Sequence, residues 1–107
     1  MLKVIITGSN GMLGSVLCKV LRKHFTVYAF HRDSDCHYEH DFSYSIELRD
    51  KDKLDNIVEK IKPDIIIHCA GWINIEQCEV DTEKAYENNV IATYNLVTSC
   101  PKQAKFI

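Results

Sequence analysis

The sequence predicts an α/β fold, a parallel sheet wound on both faces by helices. Two β-branched runs, Val4-Ile5-Ile6 and Ile65-Ile66-Ile67, have the continuous apolar character of strands buried on both faces. Stretches of helical periodicity separate such runs. Strand–helix alternation with right-handed crossovers builds a doubly wound sheet, with expected strand order 3-2-1-4-5.

The first strand spans Leu2 to Thr7 and passes directly into Gly8-Ser9-Asn10-Gly11-Met12-Leu13-Gly14. A strand, a glycine-rich turn and a helix beginning at the turn form a recipe for holding a pyrophosphate. Amides at the helix N-terminus face the anion, the helix dipole favours negative charge, and missing side chains let the backbone approach. Gly14 allows the helix to pack closely. The spacing Gly8-x-x-Gly11-x-x-Gly14 differs from the G-x-G-x-x-G fingerprint, and alone it also suits a tight turn.

Helix one carries the stripe Leu13, Val16, Leu17, Val20 and Leu21, with Arg22, Lys23 and His24 in its last turn. Phe25 to Phe30 forms strand two, and the polar, aperiodic Arg32 to Asp41 forms a loop. Phe42, Tyr44, Ile46 and Leu48 alternate with polar residues, as in a half-exposed edge strand. Asp50 caps a helix whose apolar face is Leu54, Ile57, Val58 and Ile61, and Lys62-Pro63 stops it. Strand four follows over Ile65 to Cys69, then a loop from Ala70 to Val80. A long helix starts near Asp81 or Thr82 and ends at Cys100-Pro101, and Ala104 to Ile107 begins strand five.

A length of 107 residues is one domain's worth, and 46% hydrophobic and 26% charged residues are ordinary for a soluble chain. A net charge of −2 argues against general nucleic-acid binding. No apolar run approaches the ~20 residues of a membrane span, and a strand at residue 2 leaves no room for a signal peptide. The expected location is the cytoplasm. The five cysteines, Cys18, Cys36, Cys69, Cys78 and Cys100, contain no C-x-x-C and fit a reducing compartment. His31, Cys36, His37, His40 and Asp41 form the densest polar cluster, but their spacing matches no common zinc pattern, so no metal site is expected.

The chain resembles the N-terminal part of extended short-chain dehydrogenases/reductases, in the dTDP-4-dehydrorhamnose reductase-like branch. Four segments carry the resemblance: Thr7 to Gly14; Glu47-Leu48-Arg49-Asp50, where the family has an Asp-Leu-x-Asp run; Lys62 to Glu79, including His68-Cys69-Ala70-Gly71-Trp72; and Ala85-Tyr86-Glu87-Asn88-Asn89-Val90. The resemblance implies a Rossmann-type fold, truncated here in strand five, that binds NADP, with NAD as the alternative. It also implies a small-molecule nucleotide sugar as the partner of the full-length protein, no nucleic acid or membrane partner, and compatibility with a homo-oligomer.

By resemblance, the backbone amides of Gly8, Ser9, Asn10, Gly11, Met12 and Leu13 wrap the pyrophosphate. At the end of strand two an acid suits the ribose 2′-hydroxyl of NAD, whereas arginine suits the extra phosphate of NADP. Here His31 stands where the family often has Asp, and Arg32 follows, which favours NADP. Asp33 and Asp35 nearby work against that choice, and an ordinary loop arginine is the alternative. Leu48 packs on adenine, and Glu47 or its backbone meets the exocyclic amine. Cys69, Ala70 and Gly71 lie along the riboses, although Ala70-Gly71 equally suits a plain strand-to-loop turn. Trp72 either packs or lines the substrate pocket. Asn89 shares a stripe with Ala85, Ala92, Thr93 and Leu96, and in the family the matching Asn tethers this helix to the cofactor-binding strands.

The family's Tyr-x-x-x-Lys pair has no counterpart among Tyr28, Tyr38, Tyr44, Tyr86 and Tyr94. The expected activity is therefore that of the cofactor-binding portion of a reductase of nucleotide-linked 4-keto-6-deoxysugars, inactive by itself. A nucleotide-sugar epimerase or dehydratase, or a non-catalytic NADP-binding regulatory subunit, are the alternatives.

Overall fold

The computed structural model describes residues 1–32, 40–69 and 87–107. Strands β1 (Lys3–Thr7), β2 (Thr26–His31), β3 (Phe42–Ser45), β4 (Ile65–His68) and β5 (Lys105–Phe106) form one parallel sheet in the order β3-β2-β1-β4-β5. This is the predicted order. It places β1 at the centre, where Val4, Ile5, Ile6 and Thr7 are all buried.

Alternation along the strands divides the core in two. Val4, Ile6, Val27 and Ala29 face helix α1 (Met12–Leu21) and meet Cys18, Leu17 and Leu21. Ile5, Phe30 and Ile66 face the other way, against Leu54, Val58 and Ile61 of α2 (Lys51–Ile61) and Ala92 and Leu96 of α3 (Ala92–Ser99). Helices thus cover both faces of the sheet, as a doubly wound fold requires.

Helix α2 begins as its sequence indicates, with the Asp50 carboxylate accepting a hydrogen bond from the Lys53 amide at 3.3 Å. The Lys62 amide donates to the Val58 carbonyl at 2.9 Å, and the left-handed φ of 54° at Lys62 turns the chain out of the helix before Pro63.

Other elements differ from the sequence-based expectation. Helix α1 buries Gly14, Ser15 and Cys18, while Leu13, Val16 and Val20 of the expected stripe are exposed. Glycine sets this phase. A Cβ on Gly14 would lie 2.1 Å from the Gly8 carbonyl oxygen and 3.1 Å from Ser9 Cα, so the helix turns its bare position onto the preceding loop. Gly8 has φ 67°, a conformation side chains disfavour, and this brings its carbonyl to the Gly11 amide at 2.9 Å.

Strand β3 stops at Ser45. The Ile46 amide closes onto the His31 carbonyl at 2.8 Å, and Ile46 and Leu48 enter the core instead of continuing a half-exposed edge. Strand β4 ends at His68, one residue short of Cys69.

The predicted start of the long helix at Asp81 or Thr82 and the loop from Ala70 to Val80 lie outside the described residues, as do Cys36 and His37. What is described is a π-helical turn, Glu87–Ile91, running into α3. Cys100 is extended before Pro101, which ends the helix as expected.

The close approach at Gly14 sets a testable contrast. Gly14→Ala should cost stability at the upper end of about 1–3 kcal/mol, because the clashing partner is backbone. Gly11→Ala, with its nearest atom at 3.1 Å, should cost clearly less. Urea-unfolding midpoints check this, and equal midpoints would contradict the packing described.

Candidate functional site

At the carboxyl ends of β1, β2 and β4 the described residues enclose a cleft of about 750 Å³. Its position follows from topology. The chain leaves β1 toward one face and β4 lies on β1's other side, so a crevice opens at this switch point.

The glycine loop makes one wall. Gly8, Asn10, Gly11, Met12 and Leu13 all line the cleft, together with Gly14 and Val16. The amides of Met12, Leu13 and Gly14 open α1 and have no intrahelical acceptor, the first helical bond being Ser15 N to Gly11 O at 3.0 Å. Two other amides serve the loop itself, which narrows the expectation that the whole run wraps an anion. Gly11 N donates to Gly8 O, and Ser9 N donates to Phe30 O at 3.2 Å. Ser9 is fully buried, and its hydroxyl donates to the same Phe30 carbonyl at 3.1 Å. Ser9 pins the loop to β2 from beneath and does not line the cleft.

The opposite wall comes from β2 and the segment after β3. His31 is buried and Arg32 exposed, and both reach the cleft. The Arg32 carbonyl accepts from Ser45 Oγ at 3.1 Å, which ties the end of β2 to β3. Ile46, Glu47 and Leu48 continue the wall. Leu48, 7% exposed, offers an apolar surface backed by the core. The Glu47 carboxylate accepts from Arg49 Nε at 2.6 Å.

Asn95, which no sequence motif marks, holds this wall in place. It is 7% exposed, and its Nδ2 donates to the Leu48 carbonyl at 3.0 Å and to the Arg49 carbonyl at 3.2 Å. Losing a buried donor of this kind costs about 1–3 kcal/mol. Asn95, six residues beyond Asn89, is thus a buried amide that ties this helix to the cleft wall. Asn89 is half-buried in the π turn and does not line the cleft, and its carbonyl accepts from Thr93 Oγ1 at 2.6 Å. The signal for Asn95 was its spacing, three residues beyond Ala92 and so on the same helical face.

The floor is formed by Thr7, Cys69 and Ala92. Burial pushes the Cys69 thiol above its ordinary range, so it stays protonated. Behind the floor, His68 Nδ1 lies 2.7 Å from Thr7 Oγ1 and Nε2 lies 2.8 Å from Thr93 Oγ1. The Cys69 amide donates to Thr7 Oγ1 at 3.0 Å. Thr7, His68 and Thr93 were also missed as site residues, though His68 is signalled by a polar residue closing an apolar strand. Ala70, Gly71, Trp72, Asp33 and Asp35 lie outside the described residues.

A dinucleotide fits these features. The helix start offers amides and a positive dipole to phosphates, glycine removes side chains where the backbone must be approached, Leu48 offers apolar surface, and Arg32 brings a cation to the rim.

Residues 4–107 match the model of the NAD dependent epimerase/dehydratase family. The chain belongs to that family. It is 32% identical to dTDP-4-dehydrorhamnose reductase of Aggregatibacter actinomycetemcomitans over 92 residues, 84% of this chain and 28% of that protein. It is equally 32% identical to a UDP-glucose 4-epimerase of Rhizobium leguminosarum bv. trifolii over 100 residues, 90% of this chain and 31% of the relative. The crystal structure of dTDP-4-dehydrorhamnose reductase from Bacillus anthracis in complex with NADP superposes with a TM-score of 0.82 at 29% identity, covering 99% of this chain and 35% of that one. The chain thus spans about a third of the length of these family members. No helix among the described residues is long and apolar enough to cross a membrane.

His68 supplies a pH test of the site. Burial lowers its pKa from the ordinary 6.5. In the window between the lowered folded value and about 6.5 the unfolded chain binds more protons, so stability falls as pH drops through it and is complete above it. The difference in unfolding free energy between the natural protein and His68→Gln should therefore shrink from pH 7 to pH 5. Urea titrations across that range check this, and a difference independent of pH would contradict it.

Proposed function

We propose that this chain forms the dinucleotide-binding part of an NAD(P)-dependent reductase of nucleotide-linked 4-keto-6-deoxysugars, with NADP preferred and NAD the alternative. The observation that carries the reading is convergence. Gly8, Asn10, Gly11, Met12 and Leu13, Arg32, and Leu48 come from three separate sequence segments and line one cleft.

In this reading the amides of Met12, Leu13 and Gly14 hold the pyrophosphate, and Leu48 supports adenine. Arg32 meets the 2′-phosphate of NADP through charge-assisted hydrogen bonds, which a ribose hydroxyl would not repay equally. The bound nicotinamide supplies the hydride. Cys69, protonated and half-buried, excludes water from the floor and takes no part as a nucleophile. Similarity to dTDP-4-dehydrorhamnose reductases supports the choice of substrate, and a reductase of soluble nucleotide sugars belongs in the cytoplasm. A second reading, a nucleotide-sugar epimerase, is supported by the equal identity to a UDP-glucose 4-epimerase.

Fluorescence titration with NADPH and NADH tests the cofactor assignment. Arg32→Ala should weaken NADPH about tenfold or more and leave NADH nearly unchanged, since only NADPH carries the phosphate. Equal losses for both would overturn the role given to Arg32.

A further inference from the structure

We propose that His68 is a positioning residue of the cleft, locked as the Nε2-protonated tautomer by an ordered hydrogen-bond chain running from the Cys69 amide to the Asn89 carbonyl. The assignment follows from counting protons. A hydroxyl has one to donate. The Thr93 hydroxyl gives its proton to the Asn89 carbonyl at 2.6 Å, so at its 2.8 Å contact with His68 Nε2 it is the acceptor. Nε2 therefore carries the ring proton. In a neutral ring Nδ1 is then bare and accepts from the Thr7 hydroxyl at 2.7 Å. Thr7 Oγ1 in turn accepts from the Cys69 amide at 3.0 Å. Every donor in the chain points the same way.

Desolvation of the ring favours the neutral form that this order requires. A second ring proton would sit on Nδ1 facing Thr7 Oγ1, and the Thr7 proton would have to leave the chain. The ring's aromatic contact among the described residues is Phe106, at a centroid distance of 6.2 Å, which contributes packing and no charge.

The chain lies directly behind the cleft floor. Two of its members, Thr7 and Cys69, line the cleft, and Thr93 follows Ala92, which does too. One imidazole thus clamps the end of β1, the end of β4 and the start of α3 at a fixed separation. The functional half of the proposal rests on the dinucleotide reading, whereas the tautomer can be read without any cofactor.

Long-range proton–nitrogen NMR reads the tautomer directly, with His68 assigned by the signal lost in His68→Gln. At neutral pH the ring should show a protonated Nε2 and a bare Nδ1. Thr93→Ser keeps the acceptor and should preserve that pattern. Thr93→Val keeps the shape, removes the acceptor, and should give a mixed tautomer and roughly tenfold weaker NADPH binding. A ring in the natural protein protonated on Nδ1, or averaging between tautomers, would overturn the lock. Unchanged NADPH affinity in a folded Thr93→Val would overturn the positioning role. Failure of the natural chain to bind NADPH counts against the cofactor reading itself, with the tautomer still deciding the lock. Should Thr93→Val not fold, the natural ring and Thr93→Ser decide the question.

Discussion

The contact on which the rest of this structure depends is backbone against backbone, where α1 rests at Gly14 on the carbonyl of Gly8. No side chain fits there. The contact fixes how far the helix start stands from the end of β1 and therefore where its unpaired amides point. It also fixes the rotation of α1, turning Cys18, Leu17 and Leu21 to the sheet and leaving Met12, Leu13 and Val16 at the cleft. A single missing Cβ thus couples the packing of one face of the sheet to the chemistry at its edge.

The remaining walls are rigid for a different reason. Buried polar groups need partners, and here these partners lie across element boundaries. Ser9 joins the glycine loop to β2, Asn95 joins α3 to the backbone of Leu48 and Arg49, and His68 joins β1 and β4 to α3. Each bond would be satisfied by water in an unfolded chain, so its net worth is modest. Its geometric effect is larger, because the cleft is lined by the residues these bonds hold. Cofactor binding of the kind proposed needs such preorganisation, since ordering loops on binding subtracts from affinity.

The strands and their order were legible in the sequence because buried parallel strands carry a strong apolar signal, as Val4-Ile5-Ile6 and Ile65-Ile66-Ile67 show. The turn from β1 into α1 was legible because Gly8, Gly11 and Gly14 stand directly between an apolar run and a stretch of helical periodicity. What misled was periodicity read without glycine. Leu13, Val16 and Val20 form a convincing helical stripe, yet a bare position at Gly14 outranks three apolar side chains in setting the contact face. The run Phe42 to Leu48 misled likewise, since period-two alternation continues through a turn that takes Ile46 and Leu48 into the core. Asn89 and Asn95 differ by one and a half helical turns, and the π turn at Glu87–Ile91 shifts phase in a way that no side-chain pattern announces. The threonines and His68 carry meaning only once three elements meet, and local sequence does not contain that meeting.

The central claim is that the glycine loop and the Leu48 wall together receive a dinucleotide. Amide chemical-shift mapping of the chain during titration with NADPH tests it most directly. Saturable shifts are expected at Gly8 to Gly14, at Arg32 and at Ile46 to Leu48, with α2 from Asp52 to Lys60 little affected. Saturation without shifts in the glycine loop, or shifts centred on α2, would contradict it.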